Sequence, residues 1–279
     1  MRPRRPRAAG VSRRGFLAGL PAGAWGLAGG LGPWGTRPAS AAVTRQEAAL
    51  PAMFPGSDPE IVKALVTVAH MDVDEVRRLV ERQPSLARAS WDWGYGDWET
   101  GLGAAAHTGR RDIADVLLAH GARPTIFSAA MMGELDVVKA FVAARPGVQG
   151  TLGPHGLTLM LHARAGGKDA EAVVAYLEAV GGADVRPPSA PLDAADRDAV
   201  VGAYVFGRDE RDRFEVDVQN DQLGLQRPGT TRRFLIHTGN LVFFPSGVPS
   251  VKIAFVRDGG RVVRLTIADP EVFVTARRV

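Results

Sequence analysis

The apolar period of this chain changes once, and that change limits the folds open to it. From Asp58 to about Asp184 apolar residues recur at three- and four-residue spacing in short runs cut by glycine, as helices that bury one face require. "ADVRPPSAPLD", residues 183–193, breaks the pattern with Pro187, Pro188 and Pro191, and reads as a linker over 185–193. Beyond it the period becomes two. "FEVDVQ" alternates Phe214, Val216 and Val218 with polar residues, and "RRFLIH", "LVFFP", "VKIAFV", "VVRLTI" and "EVFVTA" follow, separated by "TGN", "SGVPS" and "DGGR". Evenly spaced short strands with glycine turns predict a small antiparallel β-meander or barrel over 194–279. The chain is therefore of the α+β class, with its helical half first.

Within the helical half, "TGLGAAAHTGRRDIADVLLAHGA", residues 100–122, carries the clearest unit. Ala105 and Ala106 let helices approach closely, Gly109 and Gly121 can end each helix in the left-handed conformation, and Ile113, Val116 and Leu117 form one apolar face. The unit resembles the ankyrin repeat at Thr100, Leu102, Ala105, Ala106, Gly109, Leu117, Leu118, Gly121 and Ala122, with Gly101 and Gly103 in place of the usual Pro and His. Residues 124–142 place Ala129, Ala130 and Gly133 on Ala105, Ala106 and Gly109, and residues 156–184 give another copy with Thr158, Ala163 and Gly167. A degenerate first copy has Met71 where glycine is expected. The resemblance implies an ankyrin-type helical repeat solenoid of about four repeats over 58–184, followed by the β-domain. It also implies a concave binding surface that includes His107, Thr108, Met131 and Met132.

Between the first two copies lies "SWDWGYGDWET", residues 90–100, with Trp91, Trp93 and Trp98 around Tyr95 and with Asp97 and Glu99 interleaved. Gly94 and Gly96 make it a turn. Stiff aromatic area on a loop suits a binding surface, and Asp97 and Glu99 can accept hydrogen bonds from a ligand; the same rings could instead cap the apolar end of the repeats. His155, in "GPHGLTL", joins these residues as a binding candidate. His107, His155 and His162 with Glu99 or Asp97 are conceivable metal ligands, but their spacing matches no usual ligand pattern, so neither a metal nor a cofactor is expected. No S-x-x-K, G-x-S-x-G or H-E-x-x-H occurs, and the reading is of a binding protein and not an enzyme. The stretch from "VGAYVFG" to "VVRLTIAD", with Gly202, Tyr204 and "LGLQRPG", resembles the small β-domain attached to secreted serine hydrolases of the penicillin-binding type, without the hydrolase itself.

Charge enters through the N-terminus. "SRRGFL", residues 12–17, resembles the twin-arginine export signal through Arg13 and Arg14, and a broken apolar run leads to "PASA", which places cleavage between Ala41 and Ala42. Removing residues 1–41 takes seven arginines with it, leaving 27 of the 34 basic residues against 30 acidic ones, so the formal charge of +4 becomes −3. No electrostatic case for nucleic acid remains, and no integral membrane span follows the signal. The absence of cysteine suits an oxidising compartment. The expectation is an exported protein, periplasmic or extracellular, with a flexible segment over 42–57. Its partner is another envelope protein met through the concave face and the Trp-rich loop. A carbohydrate or small ligand held by the tryptophans is the alternative, and a metal-dependent hydrolase a weaker one.

Overall fold

A carboxylate or hydroxyl just ahead of an apolar run starts most of the helices by accepting an otherwise orphaned amide. Asp58 opens α1 (Pro59–Val68), Asp72 opens α2 (Val73–Arg82), Thr100 opens α3 (Gly101–His107), and Thr125 with Ser128 forms a capping box on α5 (Ile126–Met131). Thr158 opens α7 (Leu159–Ala165) and Asp193 opens α9 (Ala194–Val200). The helices α4 (Arg111–Ala119), α6 (Leu135–Ala144) and α8 (Glu171–Val180) start without a side-chain cap. The computed structural model describes residues 54–279; Arg13, Arg14, Ala41, Ala42 and most of the 42–57 segment lie outside the described residues.

Small residues bring the helices together. Ala104, Ala105, Ala106, Ala130 and Ala163 expose no surface where α3, α5 and α7 pack side by side. Gly109 and Gly133 adopt φ of +70° and +75°, and a β-carbon on either would collide with the carbonyl oxygen of Ala165 or Asp169. Glycine is thus required there both by conformation and by close approach. A short hairpin, β1 (Ser90–Asp92) and β2 (Trp98–Thr100), interrupts the helices between α2 and α3.

The second half is a barrel. Its strands are β3 (Gly202–Val205), β4 (Arg213–Gln219), β5 (Gln222–Gln226), β6 (Arg233–Gly239), β7 (Val242–Pro245), β8 (Lys252–Asp258), β9 (Arg261–Ala268) and β10 (Val272–Arg278). Each pairs antiparallel with the next, and β10 returns to β3 through Arg277 opposite Val205, so the sheet closes. Inward-facing Tyr204, Phe243, Ile253, Phe255 and Leu265 fill it. At one end of the barrel the connections are two-residue turns, Asn220–Asp221, Asn240–Leu241 and Gly259–Gly260, all with the positive φ that matches strand twist in tight hairpins. The opposite mouth carries the longer loops.

This overturns the expected ankyrin-type solenoid followed by a small meander: among the described residues, nine short helices stand beside a closed eight-stranded antiparallel barrel. The physical reason in the helical half is uneven spacing. Helices of 6 to 10 residues are separated by a β-hairpin and by 3₁₀ turns at Pro84–Arg88, Val148–Gly150, Pro154–Gly156 and Gly167–Ala170, so no constant unit repeats. In the β half, period-two alternation is the same for an open meander and a closed barrel, since closure depends on tilt and register. No helix among the described residues is long and apolar enough to cross a membrane.

Candidate metal centre

Alternation along the β1–β2 hairpin decides where the Trp-rich stretch sends its side chains. Trp91 pairs with Glu99 and Asp92 with Trp98, and successive residues of a strand face opposite sides. With Glu99 turned inward, at 1 % exposure, Trp98 must face solvent, and it is 61 % exposed. The tip is fixed by Asp92, whose Oδ1 accepts the amides of Gly94 and Gly96, and by the Trp93 amide donating to the Asp97 carbonyl. Tyr95, left-handed at φ 62°, packs against the barrel core, and burial pushes its hydroxyl up to about 12. The hairpin therefore joins the two halves of the molecule.

Three histidines from three elements surround the Glu99 carboxylate. His107, the last residue of α3, lies with Nε2 2.9 Å from Oε1. His155, in the 3₁₀ turn Pro154–Gly156, lies with Nε2 3.3 Å from Oε2, and His70, just past α1, with Nε2 3.6 Å from it. Trp93 donates its indole N–H to the same Oε2 at 2.7 Å. Burial alone would raise the Glu99 carboxyl, but hydrogen bonds from His107 and His155 and the nearby imidazole charges outweigh it and hold the group at about 2. One ligand atom each from His70, Glu99, His107 and His155 falls within 4.8 Å of all the others.

The far sides of two rings fix their tautomers. His70 Nδ1 lies 3.0 Å from the Val66 carbonyl and 3.1 Å from that of Thr67; a carbonyl only accepts, so Nδ1 carries the proton. His155 Nδ1 donates to Asp97 Oδ2 at 2.8 Å. Asp97, 4 % exposed, also accepts the His155 amide at 2.8 Å and the Arg233 guanidinium at 2.6 Å. Burial opposes the Asp97 charge, but these bonds win and lower its pKa. In both histidines Nε2 is left facing a carboxylate. Such a pair of lone pairs is unfavourable unless a second proton or a cation lies between them. With protons alone, burial lowers the His155 pKa but its bonds to Asp97 and Glu99 overcome this and raise it to about 9.

His162, fully buried, lies outside the quartet. Its Nδ1 donates to the Thr158 carbonyl, its Nε2 has no partner among the described residues, and burial pushes it down to about 4.

Of the residues singled out from sequence, Trp93, Asp97, Glu99, His107 and His155 come together here. Trp91 sits half-buried with Lys63 over its ring, 5.7 Å from the centroid. Thr108 caps α3 by donating to the Ala104 carbonyl, Met131 is fully buried in the helical core, and Met132 offers its carbonyl to Arg111. Two site residues escaped the sequence reading. His70 ends its helix much as His107 does, and that recurrence was the available signal. Arg233 shares strand parity with inward Leu235, so a charge on an inward position was the other. Fold and site together define a helical-plus-barrel protein with part-buried histidines around a buried carboxylate at the junction. No family model, no curated protein and no solved structure matches the chain.

Proposed function

We propose that this protein binds one divalent first-row transition ion, of which zinc is the reference case, through Nε2 of His70, His107 and His155 and a carboxylate oxygen of Glu99. The observation that supports it is orientation. Two of the imidazoles donate Nδ1–H to a carbonyl or carboxylate, the outer-shell arrangement that presents an Nε2 lone pair to a metal. An ion bound tetrahedrally at about 2.0–2.1 Å separates its ligand atoms by roughly 3.3 Å, close to the 3.3 and 3.6 Å from Glu99 Oε2 to His155 and His70, with His107 2.9 Å from the other oxygen, Oε1. Imidazole with one carboxylate suits zinc, iron or nickel better than the oxygen-seeking magnesium or calcium.

A cavity of about 340 Å³ lined by His70, Trp93 and His155 on one side and Arg233, Phe234 and Ser246 on the other adjoins the centre. A small molecule can thus reach the ion. With the export signal read from Arg13 and Arg14, the reading is of an exported metal-dependent small-ligand protein, which this geometry favours over one that meets a protein partner or a glycan. The test is metal content after dialysis against zinc and then buffer, measured by mass spectrometry. One zinc per chain is expected in the wild type, and loss of it in Glu99→Gln and in His107→Ala with the circular-dichroism spectrum retained. Failure of the wild type to retain zinc, or its retention in a His70→Ala/His107→Ala double variant, would overturn the proposal.

A further inference from the structure

The mouth of the barrel that faces the hairpin encloses a second cavity, of about 260 Å³. Its walls are apolar, formed by Phe214, Leu225, Ile267 and Val274 from four strands and closed on the hairpin side by Trp93 and Tyr95. Small barrels fill their interior with their own side chains, and this one does so below the mouth; at the mouth the filling stops short. Two charged residues line this space, Arg227 at the rim and Arg233 deeper in. Arg233, 6 % exposed, directs Nη2 to Asp97 Oδ2 and to the Ser246 carbonyl, while its Nε–H is buried and has no partner among the described residues.

A guanidinium N–H withdrawn from water and left unpaired is costly, and an acceptor supplied by a ligand removes that cost. The acceptor best matched to a cationic donor is an anionic oxygen, because charge-assisted bonds are the stronger ones. Arg227 lies at the rim over the Phe206 ring, though it already bonds Asp212 and the Arg211 carbonyl, and the Thr231 side chain lines the space beside Arg233. We infer that the barrel mouth is a binding site for an apolar molecule carrying a single carboxylate or comparable anionic group, with its apolar part between the strand ends and the anion against the Arg233 guanidinium. Apolar walls with one placed polar group are how small-molecule sites combine affinity with orientation. The inference does not depend on a metal, since none of the four candidate ligands supplies the cavity walls.

The test uses the purified protein in the presence of a chelator, so that failure of the metal reading leaves it untouched. Bound 1-anilinonaphthalene-8-sulfonate is displaced by decanoate or by its neutral counterpart decanol. Decanoate should bind at one site per chain and roughly tenfold or more tighter than decanol, the discrimination expected of one buried charged hydrogen bond. Arg233→Lys keeps a cation beside Asp97 but lacks the Nε donor, and should bring the two ligands together. Val274→Trp fills the mouth and should abolish binding of both. Equal affinities in the wild type, or decanoate binding untouched by Val274→Trp, would overturn the inference, and these two results decide it even if Arg233→Lys fails to fold.

Discussion

Replacing Arg233 with methionine should show how strongly the barrel is clamped to the hairpin. The Arg233 side chain is 7 % exposed and that of its partner Asp97 3 %, with 2.6 Å between them, so removal strands a carboxylate in a site that water barely reaches. Breaking a buried pair by deleting one partner costs about 3–5 kcal/mol. Asp97 is not left bare, because the His155 amide and Nδ1 still donate to it at 2.8 Å each. The cost should therefore fall near the lower bound, about 3 kcal/mol. For a chain of this size that corresponds to a melting temperature lower by roughly 6–12 °C. Urea unfolding of the wild type, Arg233→Met, Asp97→Asn and the double variant supplies the coupling energy directly. The reasoning fails if Arg233→Met costs under about 1 kcal/mol, the value of an exposed pair, or if the two substitutions are simply additive.

On the opposite face of the hairpin, Trp98→Ala should leave stability within about 0.5 kcal/mol because the ring is exposed; a loss measured by thermal melting of several times that would show hidden packing. His162 is held neutral, its pKa lowered from 6.5 to about 4, with the Phe127 ring, His107 and Glu99 around it. Between those values the unfolded chain binds the extra proton, so stability should be complete above pH 6.5 and fall as pH drops toward about 4, by about 3 kcal/mol in all. Urea titrations should show a flatter acid limb in His162→Gln, and an unchanged slope would remove His162 as the cause. Under the proposed export reading, replacing both Arg13 and Arg14 with lysine should hold the uncleaved precursor in the cytoplasm on fractionation, because a twin-arginine pair is read by a receptor and not as charge.

Much of the secondary structure was legible because it obeys local rules. Thr100, Thr125 and Thr158 sit where caps belong, Gly109 and Gly133 end helices as their spacing implies, and the alternation of Phe214 with Val216 or Ile253 with Phe255 marks inward faces. What local rules do not contain is closure and stacking. Arg277 meets Val205 across the whole barrel sequence, and nothing in either strand announces that pairing. Likewise, near-repeats in the helical half carry shared caps and glycines without a shared length, so resemblance of the parts did not extend to a regular solenoid. The Trp-rich hairpin shows the same limit from the other side. Its turn was readable, but the sense of its alternation was not, because which of Glu99 and Trp98 faces inward depends on what waits underneath.

The candidate centre follows the same logic. Metal-ligand motifs are legible when a helix or a tight loop supplies two ligands at fixed spacing; here the turn after α1, then β2, α3 and a 3₁₀ turn supply one candidate each. A single buried carboxylate organises them. Glu99 could occupy an inward strand position only with donors on several sides, and the helix ends at His70 and His107, the turn at His155 and the indole of Trp93 are those donors. Asp97, two residues earlier, carries the arrangement onward by holding the far nitrogen of His155 while binding Arg233 of the barrel. The hydrogen-bonded path from barrel to histidines therefore runs through two carboxylates of one hairpin, with Trp93 donating to Glu99 beside it and Trp98 facing solvent on the other side. An inward-facing carboxylate that must be matched by scattered bases is a site that only the folded chain can assemble.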